Sequence, residues 1–426
     1  MFPFMVAWRL VILRALASKN FEWLTYSSTK SALWLSLSDS RRRRYPWRVR
    51  IFLWLIFSAQ ALGAGLDHYA QLVVNDSRAT PRDGVRVTYL GTNGYQFEFR
   101  GHALLVDPYF SRVDLLSVAL GSRIQPNAAR INDGLRHLES GNCRTDAILV
   151  THGHFDHLLD VPTVMAKTRA RLVLSASSVD LAKRAGASAG DAVKPGDVRR
   201  IGPWKIRMLS ATHDRLFSKV PFDRPPSQAG LSAEAAYSAE AAAKAGSAKT
   251  APPQRAADWI CGEPLAFLIE VNGQRIYIDS GGTPAQLPPN ERVDLAILGM
   301  ALPDSRARLH AALERLHPRY ILPSHQDNFF RPLGAGFQFG SLTDFPFVER
   351  ECAKQNRSRL ILLDYFKPWT LPAAVIPNPK RQILSKGSNP NSQMEDSPKR
   401  RDLEERTFRF AETVRAFVKE LPRAPS

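Results

Sequence analysis

Cysteine is scarce in this chain: three residues, Cys143, Cys261 and Cys352, in 426. They are unevenly placed and none stands in a CxxC or CxxH spacing, which excludes a disulfide framework and a thiolate metal site. A long apolar run is missing too. The richest candidate, in "RRRRYPWRVRIFLWLIFSAQALGAG", offers an apolar stretch of about 15 residues, where a spanning helix commonly needs roughly 20. No internal repeat is visible. Negative charge is the scarcer sign, 40 Asp and Glu against 58 Lys and Arg, for a net +18. The excess sits at the ends: residues 67–379 hold 37 basic and 31 acidic side chains, only +6 of the total. The charge therefore argues poorly for a nucleic-acid face.

What is present first is a secretory-type order near the N-terminus. A basic block from Arg41 to Arg50 precedes an apolar core, Ile51 to Phe57, and then small residues ending in "ALGA". Basic charge holds its own flank in the cytoplasm, so the chain beyond would be translocated. Residues 1–66 read as a signal or membrane-anchor region, with a buried helix as the third reading. The expectation is an exported or membrane-anchored protein whose main domain lies outside the cytoplasm. At the other end, residues 378–426 read as a polar linker followed by a short amphipathic helix in "LEERTFRFAETVRAFVKEL".

Between these ends, residues 85–372 alternate short apolar strands with helices. "VRVTYLG", "YQFEF", "HALLVDP", "TDAILVTH", "ARLVLSA" and "KIRMLSATH" read as strands in the first part. "PLAFLIEV", "QRIYIDSG", "VDLAILGM", "RYILPSH" and "LILLDYF" do so in the second. "HLLDVPTVMAKT", "SSVDLAKRAG", "ARLHAALERLH" and "PFVERECAKQ" read as helices. Two successive halves of this kind suggest two packed sheets with helices outside. Residues 227–257 break the pattern with an alanine-rich stretch that has no apolar stripe, an exposed and partly helical insertion.

The chemistry concentrates in "VTHGHFDHLLD", residues 150–160. A strand ending at Val150 delivers His152, His154, Asp156 and His157 onto one loop. Imidazole and carboxylate are the ligand set for Zn²⁺, with Mn²⁺ or Fe as alternatives. Three more candidates stand directly after apolar strands: His213 after "KIRMLSAT", Asp279 after "QRIYI" and His325 after "RYILPS". His68, His102, His137, His310 and His317 lack that placement and read as surface or structural histidines.

These residues together resemble a metallo-β-lactamase superfamily hydrolase, whose HxHxDH signature stands here as His152, His154, Asp156 and His157. That resemblance implies an α+β fold, a four-layer αββα sandwich. It implies two divalent metal ions, Zn²⁺ foremost: His152, His154 and His213 on the first, Asp156, His157 and His325 on the second, Asp279 bridging. It further implies a hydrolase that uses a metal-bridged hydroxide on an ester, lactone or phosphodiester, with Asp156 orienting the nucleophile. Alternatives are a metal-dependent nuclease and a non-catalytic binding module on the same fold.

"VTYLGTNGYQFEFRGHALLVDPYFSR" and "LPSHQDNFF" resemble the group with ascorbate-6-phosphate lactonase and N-acylphosphatidylethanolamine-hydrolysing phospholipase D. That group points to a small-molecule or lipid substrate; the N-terminal segment adds membrane association, and the near-balanced charge of the middle together with the export-type order argues against nucleic acid. Asp107 is a candidate partner for a metal-bound imidazole. Asp160, where the sequence departs from the group, falls where substrate contacts are expected.

Overall fold

The computed structural model describes residues 65–76, 84–139, 143–215, 220–221, 252–281, 291–302, 305–355 and 357–373. The expected signal segment and the C-terminal linker and helix lie outside the described residues, as does most of the alanine-rich insertion. Of the last, Ala256 opens a short 3₁₀ turn, Ala256–Asp258, and is buried. Among the described residues no helix is long and apolar enough to cross a membrane.

Among the described residues, fourteen strands form two seven-stranded sheets. The first runs in the order β14 (Trp369–Leu371), β1 (Val85–Gly91), β2 (Gly94–Phe99), β3 (His102–Val106), β4 (Arg144–Leu149), β5 (Arg171–Ser175), β6 (Asp191–Val193). The second runs β13 (Arg359–Leu360), β12 (Tyr320–Ser324), β11 (Leu295–Gly299), β10 (Gln274–Ile278), β9 (Leu265–Val271), β8 (Trp204–Ser210), β7 (Val198–Ile201). Each sheet is mixed. β1, β2 and β3 pair antiparallel and β3 to β6 parallel, while β7 to β10 pair antiparallel and β10 to β13 parallel.

Period-two alternation within these strands builds three cores. Leu104, Val106, Ala147 and Leu149 point inward and meet Ile206, Met208, Phe267, Ile269, Ile276 and Ile297 of the other sheet. Their neighbours Leu105, Ile148 and Val150 point outward, against α2 (Ala128–Glu139), α4 (Val161–Thr168) and α5 (Ala176–Arg184) through Ile131, Val164 and Leu181. On the far side Ala266, Leu268, Ala296 and Leu298 pack on α6 (Ser305–Leu316) and α7 (Phe345–Ala353) through Leu309, Leu313 and Val348. The layers are helices, sheet, sheet, helices, consistent with the expected α+β sandwich. The remaining helices, α1 (Leu115–Ala119) and α3 (Phe155–Leu158), are short.

Three details differ from the sequence reading. "HLLDVPTVMAKT" is not one helix: α3 stops at Leu158 and α4 restarts at Val161 with a proline in its first turn. "LILLDYF" supplies only Leu360 to the two-residue β13 and then irregular chain whose Leu362 and Tyr365 bridge to Val73 and Tyr89. The helix α2 was hidden because its polar residues outnumber its apolar ones, leaving Ile131, Leu135 and Leu138 to mark the buried stripe.

Candidate metal centre

Strand ends deliver the site. β4 ends at Leu149, and the chain continues through Val150 and Thr151 to His152 and His154; His154 is the N-cap of α3, which carries Asp156 and His157 in a single turn. Asp279 follows β10 directly and His325 follows β12 directly, whereas His213 stands three residues beyond β8. The loop is pinned by the 261–265 segment: Gly153 N–H donates to Cys261 O at 2.8 Å and Leu265 N–H donates to Thr151 O at 2.8 Å. Separately, His325 N–H donates to Thr92 O at 2.7 Å.

Six of the seven candidates come together as two groups of three: His152, His154 and His213, and Asp156, His157 and His325. Within each group the donor atoms lie within 4.8 Å of one another. His152 Nε2 is 2.9 Å from His154 Nδ1, and His325 Nε2 is 3.0 Å from Asp156 Oδ2. The groups adjoin: the rings of His152 and His157 are 4.0 Å apart between centroids. Asp279 stands outside both groups. Its Oδ1 accepts from Gly299 N–H (3.0 Å) and Arg308 Nη1 (2.8 Å), and its Oδ2 accepts from Tyr277 OH (3.0 Å).

Burial sets the charge state of the first group, and neighbouring carboxylates that of His157. Burial, with His157, His154 and His213 adding repulsion, holds His152 well below the usual imidazole range. Burial and His213 do the same to His154, and burial pushes His213 down to about 4. Asp156 is held well below the carboxylate range by His157 and His325 in spite of its burial. His157 behaves oppositely: although buried, it lies between Asp156 and Asp107, which push it up to about 10.

The donor set fits divalent cations. The imidazoles of the first group are neutral, the state in which nitrogen offers a lone pair. His325 Nδ1 is buried without a hydrogen-bond partner among the described residues. Five histidines and one carboxylate are the ligands that zinc, manganese and iron accept.

Around the groups lie residues that orient them. Asp107 Oδ2 accepts from His157 Nδ1 at 2.8 Å and from Thr151 Oγ1 at 2.6 Å, while its Oδ1 accepts from Thr151 N–H. Asp160, read from the sequence as a position for substrate contact, is an internal anchor instead. It is fully buried, and accepts from the backbone N–H groups of Phe110 and Ser111 and from Ser111 Oγ. His102 is remote, at the opposite end of β3, where it meets Asp146 at 2.8 Å. Arg308 and the buried Arg112–Asp327 ion pair (2.8 Å) were missed by the sequence reading. Arg308 had a signal: with Leu309, Ala312, Leu313 and Leu316 it falls on the buried stripe of α6, where a charge is out of place.

A family model described as the metallo-beta-lactamase superfamily matches residues 88–205, which includes the HxHxDH loop. A "UPF0173 metal-dependent hydrolase" of Aeropyrum pernix is 33% identical over 119 residues, 26% of this chain and 41% of its own length. A protein of the same description from Methanosarcina barkeri is 24% identical over 252 residues, 58% of this chain and 85% of its own. The chain spans 41% and 49% of the length of the first two curated relatives. Among solved structures, a metallo hydrolase of Ignicoccus hospitalis covers 68% of this chain and all of its own at 15% identity, with a TM-score of 0.41. The family model and the curated relatives make this chain similar to the metallo-beta-lactamase superfamily.

Proposed function

We propose that the protein is a metal-dependent hydrolase with a binuclear centre that cleaves an ester, a lactone or a phosphodiester. The observation that carries this reading is the convergence of two adjoining ligand groups, with the first kept neutral by burial. His152, His154 and His213 would hold one cation, Asp156, His157 and His325 a second, and Asp279 would bridge. Divalent cations in such a place supply a water of lowered pKa and stabilise the oxygen that gains charge. The chain supplies the rest. Asp107 fixes the His157 ring, and Asp156 orients the attacking oxygen.

The half-buried Phe329 lies edge-on to the His325 ring at 5.1 Å and against Phe330 at 4.1 Å. This aromatic wall favours a substrate with an apolar portion beside its hydrolysable bond, in line with the lipid and lactone chemistry of the group resembled. Export or tethering through residues 1–66 is part of the same proposal; fractionation of cells expressing the full chain tests it, and a cytosolic chain would refute it.

Turnover tests the activity itself. The purified chain is offered a p-nitrophenyl ester, a lactone and bis-p-nitrophenyl phosphate, with and without a chelator. Hydrolysis of at least one, abolished by the chelator and restored by added Zn²⁺ or Mn²⁺, is expected. Hydrolysis indifferent to the chelator would overturn the reading.

A further inference from the structure

Arg308 is 1% exposed and extends from α6 to two carboxylates. Its Nη1 donates to Asp279 Oδ1 and its Nη2 to Asp214 Oδ2, both at 2.8 Å. A buried guanidinium persists only when paired in this way, since an uncompensated charge at such depth is costly. Its fork suits the task, because two nitrogens in one plane meet two carboxylates at fixed spacing.

Both carboxylates lead back to candidate ligands. On one arm, Arg308 and Gly299 N–H both donate to Asp279 Oδ1, so that oxygen is taken by the guanidinium, whereas Tyr277 OH donates to Oδ2 and the Gly281 backbone adds a further contact to the carboxylate. On the other arm, Asp214 is the residue after His213, and its backbone carbonyl accepts from His213 Nδ1 at 2.7 Å. A carbonyl can only accept, so Nδ1 carries the proton and Nε2 the lone pair. Gly299 makes room for the arrangement: a Cβ there would fall 2.5 Å from the Ser280 carbonyl carbon.

We infer that Arg308 is a positioning residue which selects the donor atom of two ligands at once, Oδ2 of Asp279 and Nε2 of His213. The inference rests on the metal-dependent reading of this site and deepens it. Arg308 touches neither substrate nor the reacting atoms; it acts through Asp279 and Asp214.

The full chain and its Arg308→Met, Arg308→Lys and Asp214→Asn variants provide the test. The first readout is the midpoint of Zn²⁺ removal by a chelator, together with the visible spectrum of the Co²⁺-substituted protein. The second, in the metal-free protein, is the His213 tautomer from ¹⁵N chemical shifts. Arg308→Met is expected to weaken metal retention by about tenfold or more, to alter the cobalt bands and to mix the His213 tautomers. Arg308→Lys should recover part of each. Wild-type retention, spectrum and tautomer in Arg308→Met would overturn the inference. If that variant does not fold, Asp214→Asn decides, because it leaves the Asp279 arm in place: an unshifted tautomer and unshifted retention overturn, a shift supports. A wild-type chain that holds no metal would defeat the hydrolase reading, and the tautomer alone would then decide the role of Arg308.

Discussion

Asp107 and His157 meet through Oδ2 and Nδ1 at 2.8 Å, with both side chains buried. This contact fixes which nitrogen of His157 is left for a cation, and Thr151, donating to the same carboxylate through N–H and Oγ1, fixes Asp107 in turn. Asp107→Asn exchanges a charged acceptor for an amide that can present its N–H₂ to these donors. Metal retention is expected to fall by about tenfold to a hundredfold, measured by chelator competition on a variant that unfolds like wild type. Unchanged retention would reduce Asp107 to a structural turn.

Gly153, the residue between the first two histidines, has no room for a side chain. A Cβ there would fall 2.3 Å from the Ile260 carbonyl oxygen, which belongs to backbone and cannot swing away. Gly153→Ala is expected to cost about 1–3 kcal/mol by overpacking and to lose metal, since His152 and His154 must move with the loop. Thermal unfolding and metal analysis check both. A variant with wild-type stability would mean that the 259–262 segment yields more easily than its packing suggests.

Asp160 gives a pH dependence whose sign follows from its burial, which pushes it up to about 6 despite the donors around it. An ordinary aspartate titrates near pH 4, so the folded state binds this proton more tightly than the unfolded state. The contribution of Asp160 to stability is therefore largest below about pH 4 and declines as pH rises to about 6. Asp160→Asn cannot ionise and removes that slope, while lost hydrogen bonding costs about 1–3 kcal/mol. Urea unfolding from pH 4 to 7 distinguishes them; an identical slope in both proteins would contradict the assignment.

Arg112 and Asp327 form a fully buried ion pair, and Asp327 also accepts from Thr92 N–H and Tyr365 OH. Arg112→Met strands the carboxylate, at an expected cost of about 3–5 kcal/mol. Adding Asp327→Asn removes the stranded charge and should return part of that loss in a denaturant titration. No recovery in the double variant would show that packing of the guanidinium against Tyr109 and Tyr365, rather than charge, carries the effect.

The sequence made the strands legible where apolar residues alternate, because inward and outward positions face different cores. It also exposed the candidate ligands, because a polar residue that ends an apolar strand is conspicuous. What it concealed was long-range pairing. Asp214 and Arg308 are 94 residues apart. Nothing in local spacing announces that these side chains share a buried contact. Asp160 misled for the same reason: its partners at Phe110 and Ser111 are 50 and 49 residues upstream. Short strands such as β6 and β14 carry too few residues to show a period at all.

Metal stoichiometry of the purified chain tests the central claim most directly, by mass spectrometry beside His213→Ala and His325→Ala, one variant from each ligand group. The account predicts about two divalent ions per wild-type chain, the loss of one or both in each variant, and the loss of bis-p-nitrophenyl phosphate turnover with them. A folded chain that takes up no metal, or whose metal content ignores both substitutions, would contradict it.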